Sequence, residues 1–124
     1  NWTPEGFIGQ MFKVLGRHLP PPVGVQPPSL WGTHAYLHAL FGDRVSAISA
    51  TPRLFNFRYR SAAHMVDVFR RWYGPVQKAF QALSAERAAQ LEEDLIALME
   101  RMRAGEGDGL VVPSEYLEIV VTRR

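Results

Sequence analysis

Thr33 to His38 reads Thr-His-Ala-Tyr-Leu-His and sets two imidazoles, His34 and His38, four residues apart. On a helix that spacing stacks both side chains on one stripe, where they can reach the same ion. Neutral imidazole suits zinc first, and a bound divalent transition metal would make hydroxide from water near neutral pH. The expected chemistry is hydrolysis of an ester or phosphoester. The helix lacks the glutamate of the HExxH metalloprotease signature, so a third ligand must come from elsewhere. His64 is the first candidate, followed by His18, Asp67, Glu5 or a carboxylate of a second chain. Without such a ligand, His34 and His38 are the polar border of a helix whose apolar face is Tyr36, Leu37, Leu40 and Phe41.

A second group of reactive types runs from Arg58 to Asp67, Arg-Tyr-Arg-Ser-Ala-Ala-His-Met-Val-Asp, and continues through Arg70, Arg71, Trp72 and Tyr73. Arg60 and His64 together suit an anion such as a carboxylate or phosphate, the guanidinium by bidentate contact and the imidazole by a hydrogen bond. The alternative places the aromatic residues in a core and the arginines in solvent. His64 and Asp67 share a helix face, yet no serine at a fixed spacing completes a nucleophilic triad with them. The catalytic residues therefore stay unknown at this level.

The elements that must carry these residues follow from periodicity. Thr3 and Pro4 start a helix bearing Phe7, Ile8, Met11, Phe12 and Leu15, with Gly16 as a stop. Five prolines between Pro20 and Pro28 exclude helix and central strand, so residues 19–32 form a lid or crossing segment. Thr33 caps a short helix closed by Gly42. Arg44 to Ala50 alternate as a strand and, after Pro52, Leu54 to Tyr59 alternate as another, with Phe55, Phe57 and Tyr59 on one face. The two runs form either a hairpin or one bent ribbon. Ser61 opens a helix ending at Gly74-Pro75, Val76 to Leu83 form a further one, and Ser84 caps the longest, Ala85 to about Arg103. Its stripe is Leu91, Leu95, Leu98, Met99 and Met102. Glu115 to Thr122 is the last strand, apolar on both faces and so expected to be covered on both.

The pattern amounts to a single truncated α/β domain over residues 1–124, with two to three partly antiparallel strands and four to five helices. So small a sheet leaves an edge open, and a homodimer or strand exchange is the expected completion. At 124 residues and 47% hydrophobic content the chain suffices for one core and not for two. A net charge of +2 with scattered basic residues argues against a nucleic-acid face. No cysteine is present, which excludes disulfides and thiolate chemistry. No membrane span or leader pattern is evident, and a cytoplasmic location is expected.

The two ends, Asn-Trp-Thr-Pro-Glu-Gly (Asn1 to Gly6) and Val-Pro-Ser-Glu-Tyr-Leu-Glu-Ile-Val-Val-Thr-Arg-Arg (Val112 to Arg124), carry a resemblance. With Leu19 to Gly42 and Phe55 to Pro75, they resemble the C-terminal half of class I S-adenosylmethionine-dependent methyltransferases of the ubiquinone and menaquinone biosynthesis type. The first six residues resemble the segment leaving a central strand of that family, and the last thirteen its final strand. The resemblance implies a partial Rossmann-like fold and an acceptor pocket involving Tyr59, Arg60, His64, Trp72 and Tyr73, with Trp31 and the proline segment as its lid. It also implies that the half holding the cofactor lies outside these residues, so S-adenosylmethionine is not expected to bind this chain alone. Gly105-Glu106-Gly107-Asp108-Gly109 spells GxGxG, but it follows a helix and precedes a strand, the reverse of a dinucleotide fingerprint. Three functions remain open: the substrate-side part of a small-molecule methyltransferase, a small metal-dependent hydrolase using His34 and His38, and an interaction module without chemistry.

Overall fold

The computed structural model describes all 124 residues. Five α-helices and two long strands make up the chain: α1 (Phe7–His18), α2 (His34–Phe41), β1 (Val45–Tyr59), α3 (Ala62–Trp72), α4 (Gly74–Ala82), α5 (Ala85–Met102) and β2 (Leu110–Arg123). β1 and β2 pair antiparallel along their whole lengths, from Val45 opposite Arg123 to Tyr59 opposite Leu110. The expected α/β class is therefore present, with five helices and a two-stranded antiparallel sheet.

Arg44 to Ala50 and Leu54 to Tyr59 are one strand rather than two. Pro52 sits inside it without breaking it, because β1 is an edge strand and a residue there can lack an N–H directed outward. β2 starts at Leu110, five residues earlier than its alternation suggested, since Pro113 is also tolerated within the pair. The opening helix differs too. Thr3 does not cap it: Thr3 Oγ1 accepts a hydrogen bond from Gly6 N at 3.2 Å, closing a turn, and α1 begins at Phe7 after Gly6. Residues 105–109 are bends between α5 and β2, held by Arg103, whose guanidinium donates to the carbonyls of Gly107 (2.7 Å) and Gly109 (2.9 Å). That is the helix-to-strand turn expected of the GxGxG run.

Alternation along β2 divides its side chains between two faces. Leu110, Val112 and Ser114 point to the main core, where they meet α1, α3 and α5 through Phe7, Met11, Met65, Phe69, Leu91, Leu95 and Met99. Ser114 is the one polar side chain there; its hydroxyl accepts the Ile8 N–H at 3.2 Å and so satisfies a donor of the α1 first turn. Leu117 belongs to the opposite face and is also buried, as is Leu37 of α2; both lie outside the main cluster. α2 packs against β1, so helices cover both faces of the ribbon at different points along it.

The route from one face to the other is a close crossing. A 3-10 turn, Pro28–Gly32, carries the chain past Trp2, and a Cβ on Gly32 would stand 2.1 Å from the Trp2 carbonyl oxygen. Only glycine permits that approach. The Thr33 hydroxyl then accepts from Tyr36 N and starts α2 as expected.

Asn1–Thr3 forms a third, short rung on the sheet. Asn1 and Leu117 exchange both backbone hydrogen bonds (2.9 and 2.8 Å), and Thr3 N donates to Glu115 O at 3.2 Å. Trp2 bridges Tyr116 in the antiparallel sense. The spatial order is thus the Asn1–Thr3 rung, β2, β1, with the rung parallel to β1. Beyond Leu117, the N–H and C=O groups of Ile119 and Val121 face the same side as those of Leu117 and have no strand beside them.

Candidate functional site

The residues singled out for metal binding are scattered. His34 and His38 lie on the exposed side of α2. No group of three His, Cys, Asp or Glu side chains stands close enough to share an ion. The proposed third ligands are engaged elsewhere. The His64 Nδ1 accepts the Arg60 N–H at 3.3 Å and its ring packs edge-on to Tyr59. His18 pairs with Asp94 at 2.7 Å, Asp67 with Arg71 at 3.3 Å, and Glu5 with Lys13 at 3.1 Å. His64 thus does not stand with His34 and His38 in any group close enough to share an ion.

The aromatic residues converge instead. Phe57 meets Phe7, Phe55, Trp2 and Phe69 at ring-centroid distances of 4.8 to 5.8 Å, and Phe69 contacts Tyr73 at 5.1 Å. Tyr59 joins through Phe69 at 6.1 Å. The array carries the core outward from β1 to two surfaces, Tyr73 on one side and the Trp2, Phe55 and Tyr116 trio on another. Tyr73 is half-buried, and burial raises the pKa of its phenol above the usual tyrosine value. It stays a neutral hydrogen-bond donor through the physiological range.

Of the six residues expected in an acceptor pocket, only Tyr73 borders the largest concavity next to Trp2. That hollow, about 400 Å³, is lined by Asn1, Trp2, Phe12, Pro28, Ser29 and Tyr73. Trp31 turns aside to pack against Tyr36 at 5.7 Å. Trp72 is 81% exposed and borders a different surface hollow with Asp67, Arg70 and Arg71. Arg60 is exposed and His64 partly so. The end of α3 explains the separation: Trp72 is its last residue and faces solvent, whereas Tyr73, the extended C-cap that follows, turns its ring onto Phe69. Sequence reasoning had Pro28 and Ser29 only as part of the lid segment 19–32 and Phe12 only on a helix stripe; the crossing turn and α1 together bring them to Trp2.

A second cavity of about 240 Å³ adjoins the first, with Phe12 and Pro28 as shared wall. It lies between α1, the start of α4 and the proline segment, which acts as a strap over it. Its main contacts are Leu15, Leu19, Val25, Pro75 and Ala79, and Gln26 is its one polar side chain. Neither cavity is lined by an acidic, basic or histidine side chain.

Comparison with known proteins gives relatives of undefined activity. An uncharacterized protein of Mycobacterium tuberculosis (strain H37Rv) is 33% identical over 128 residues, spanning all of this chain and 45% of the relative. A Mycobacterium bovis protein matches with the same figures. A second uncharacterized protein of M. tuberculosis is 32% identical over 102 residues, 79% of this chain and 37% of that protein. The chain thus spans less than half the length of the curated relatives it matches. No family model matches it.

Proposed function

We propose that this chain is the substrate-side portion of a small-molecule S-adenosylmethionine-dependent methyltransferase and does not methylate by itself. The observation that carries the reading is the Asn1–Thr3 rung. It lies parallel to β1 on the far edge of β2, ends at the aromatic hollow and turns directly into α1. In open α/β sheets, ligands sit at the carboxyl ends of strands, where such a strand hands over to its helix. The open edge at Ile119 and Val121 is where a cofactor-binding half would add its strands, and the resemblance of the two chain ends supports the same arrangement. The greater length of the relatives leaves room for that half.

The acceptor would enter beside Trp2 and Tyr73. Trp2 and Phe12 would orient a flat group, and Tyr73, held neutral, would donate a hydrogen bond to it. No charged side chain stands in the hollow to act as a general base, which accords with a portion that positions the acceptor.

Calorimetric titration tests this reading. S-adenosylmethionine should bind the intact M. tuberculosis relative and give no heat with this chain alone. An intact relative that fails to bind it sinks the reading. The metal-hydrolase and interaction-module readings stand as further proposals, but no juxtaposition of side chains favours either.

A further inference from the structure

Trp72 is the aromatic side chain that the fold leaves most in water. It is 81% exposed, whereas no other aromatic residue exceeds 49%. An exposed tryptophan beside a hollow and among arginines has the composition of an association surface. The hollow it borders, about 800 Å³, lies between α3 and α4, with Gln77 and Gln81 on the α4 side and Asp67 and Arg71 on the α3 side. Arg70 is already committed there: its guanidinium stands 4.6 Å over the nearly buried Phe80 ring and 3.8 Å from Glu92. Asp67 and Arg71 pair only with each other, at 3.3 Å on the open surface. An exposed pair of this kind contributes little to stability, so both groups can take a second partner. None of the lining residues belongs to the sheet, and the hollow is therefore separate from the open β2 edge at Ile119 and Val121.

The arrangement of charge selects the occupant. An anionic partner would face Asp67, and a cationic one would face Arg71. A second copy of this chain avoids both conflicts. Asp67 and Arg71 stand four residues apart on one stripe of α3, so two α3 helices meeting antiparallel about a two-fold axis set each Asp67 against the partner's Arg71. Four charges then alternate in sign around the axis. We propose that the α3–α4 face is a homodimer surface in which Trp72 of each copy fills the hollow of the other and Asp67 pairs with Arg71 across the two-fold. An isologous contact of this kind uses one patch twice and closes on itself. In the hollow the indole gains a guanidinium against its face and loses its contact with water. This contact is helix to helix, unlike the sheet completion expected from the open edge, and it does not depend on the acceptor-side reading above.

Sedimentation equilibrium of this chain tests the surface. So small a patch suits a weak, reversible dimer, and loading from about 1 μM to about 1 mM covers that range. The average mass is expected to rise with concentration from 14.0 kDa toward twice that value. Trp72→Ala should weaken association at least tenfold, and because the ring is exposed the monomer should melt as the parent does. Asp67→Arg and Arg71→Asp should each weaken association, since either places like charges across the axis, and the double variant Asp67→Arg/Arg71→Asp should restore it. Circular dichroism checks that every variant is folded. A mass that stays at 14.0 kDa throughout overturns the proposal. So does a dimer indifferent to Trp72→Ala, which would be held by the open β2 edge instead, and so does a double variant no better associated than the single ones.

Discussion

Gly32→Ala is the sharpest perturbation of the crossing that places the strap and α2. The added Cβ would stand 2.1 Å from Trp2 O, 2.6 Å from Trp2 C and 2.9 Å from Thr3 Cα. All three neighbours are backbone atoms, so no side chain can swing away to relieve the contact. Trp2 and Thr3 are themselves tied to β2 through the Thr3–Glu115 hydrogen bond and the Trp2–Tyr116 bridge. The 3-10 turn must lift, and Trp31, Tyr36 and Leu37 move with it. Overpacking of a fixed site costs about 1–3 kcal/mol, and contacts this short against backbone place the expected loss near ~3 kcal/mol. For a domain of this size that corresponds to a melting temperature lower by roughly 10 °C. The matched control is Gly16→Ala in α1, whose Cβ enters open space and should raise stability by about 0.5–1 kcal/mol. Thermal melts followed by near-ultraviolet circular dichroism report both the stability and the Trp31–Tyr36 packing. A Gly32→Ala protein melting within about 2 °C of the parent would refute the crossing as described, because the smallest loss in that range already shifts the midpoint further.

The remaining predictions concern titration and metal. Tyr73 has a folded pKa raised by burial, so folding favours its protonated form. Stability should be flat with respect to this group below the ordinary tyrosine range and should fall as pH rises through that range toward the folded pKa. Tyr73→Phe should remove that part of the alkaline decline, and an identical pH dependence of urea midpoints in parent and variant would contradict it. For His34 and His38, the lack of a third ligand within the fold predicts that monomeric protein loses added zinc on gel filtration. One zinc per monomer, abolished in His34→Ala/His38→Ala, would show that the fold rearranges to supply the missing ligand.

Several features were legible from local pattern alone. The longest helix appeared where Ser84 and the stripe from Leu91 to Met102 put it, because a cap and a 3.6-residue period are properties of neighbouring residues. The same holds for α3 after Ser61, for α2 after Thr33, and for the turn character of the GxGxG run. Phe55, Phe57 and Tyr59 share a face as alternation requires, yet their burial is graded. Phe55 is 49% exposed, whereas Phe57 is packed among four other rings; helix positions rather than strand period decide which.

Sequence by itself determined the α/β class, most helices, the final strand and the absence of cysteine chemistry. Each depends on residue type or on spacing within one element. The tertiary structure decided which side chains meet. It joined Arg44–Ala50 to Leu54–Tyr59 in one strand because an edge tolerates Pro52, and it set the Asn1–Thr3 rung on β2 across more than a hundred residues of chain. It left His64 apart from His34 and His38, and brought Phe12, Pro28, Ser29 and Tyr73 together around Trp2. Such contacts depend on how α1, the 3-10 turn and α3 cross the sheet. That crossing is set by a backbone clearance at Gly32, which no periodicity encodes.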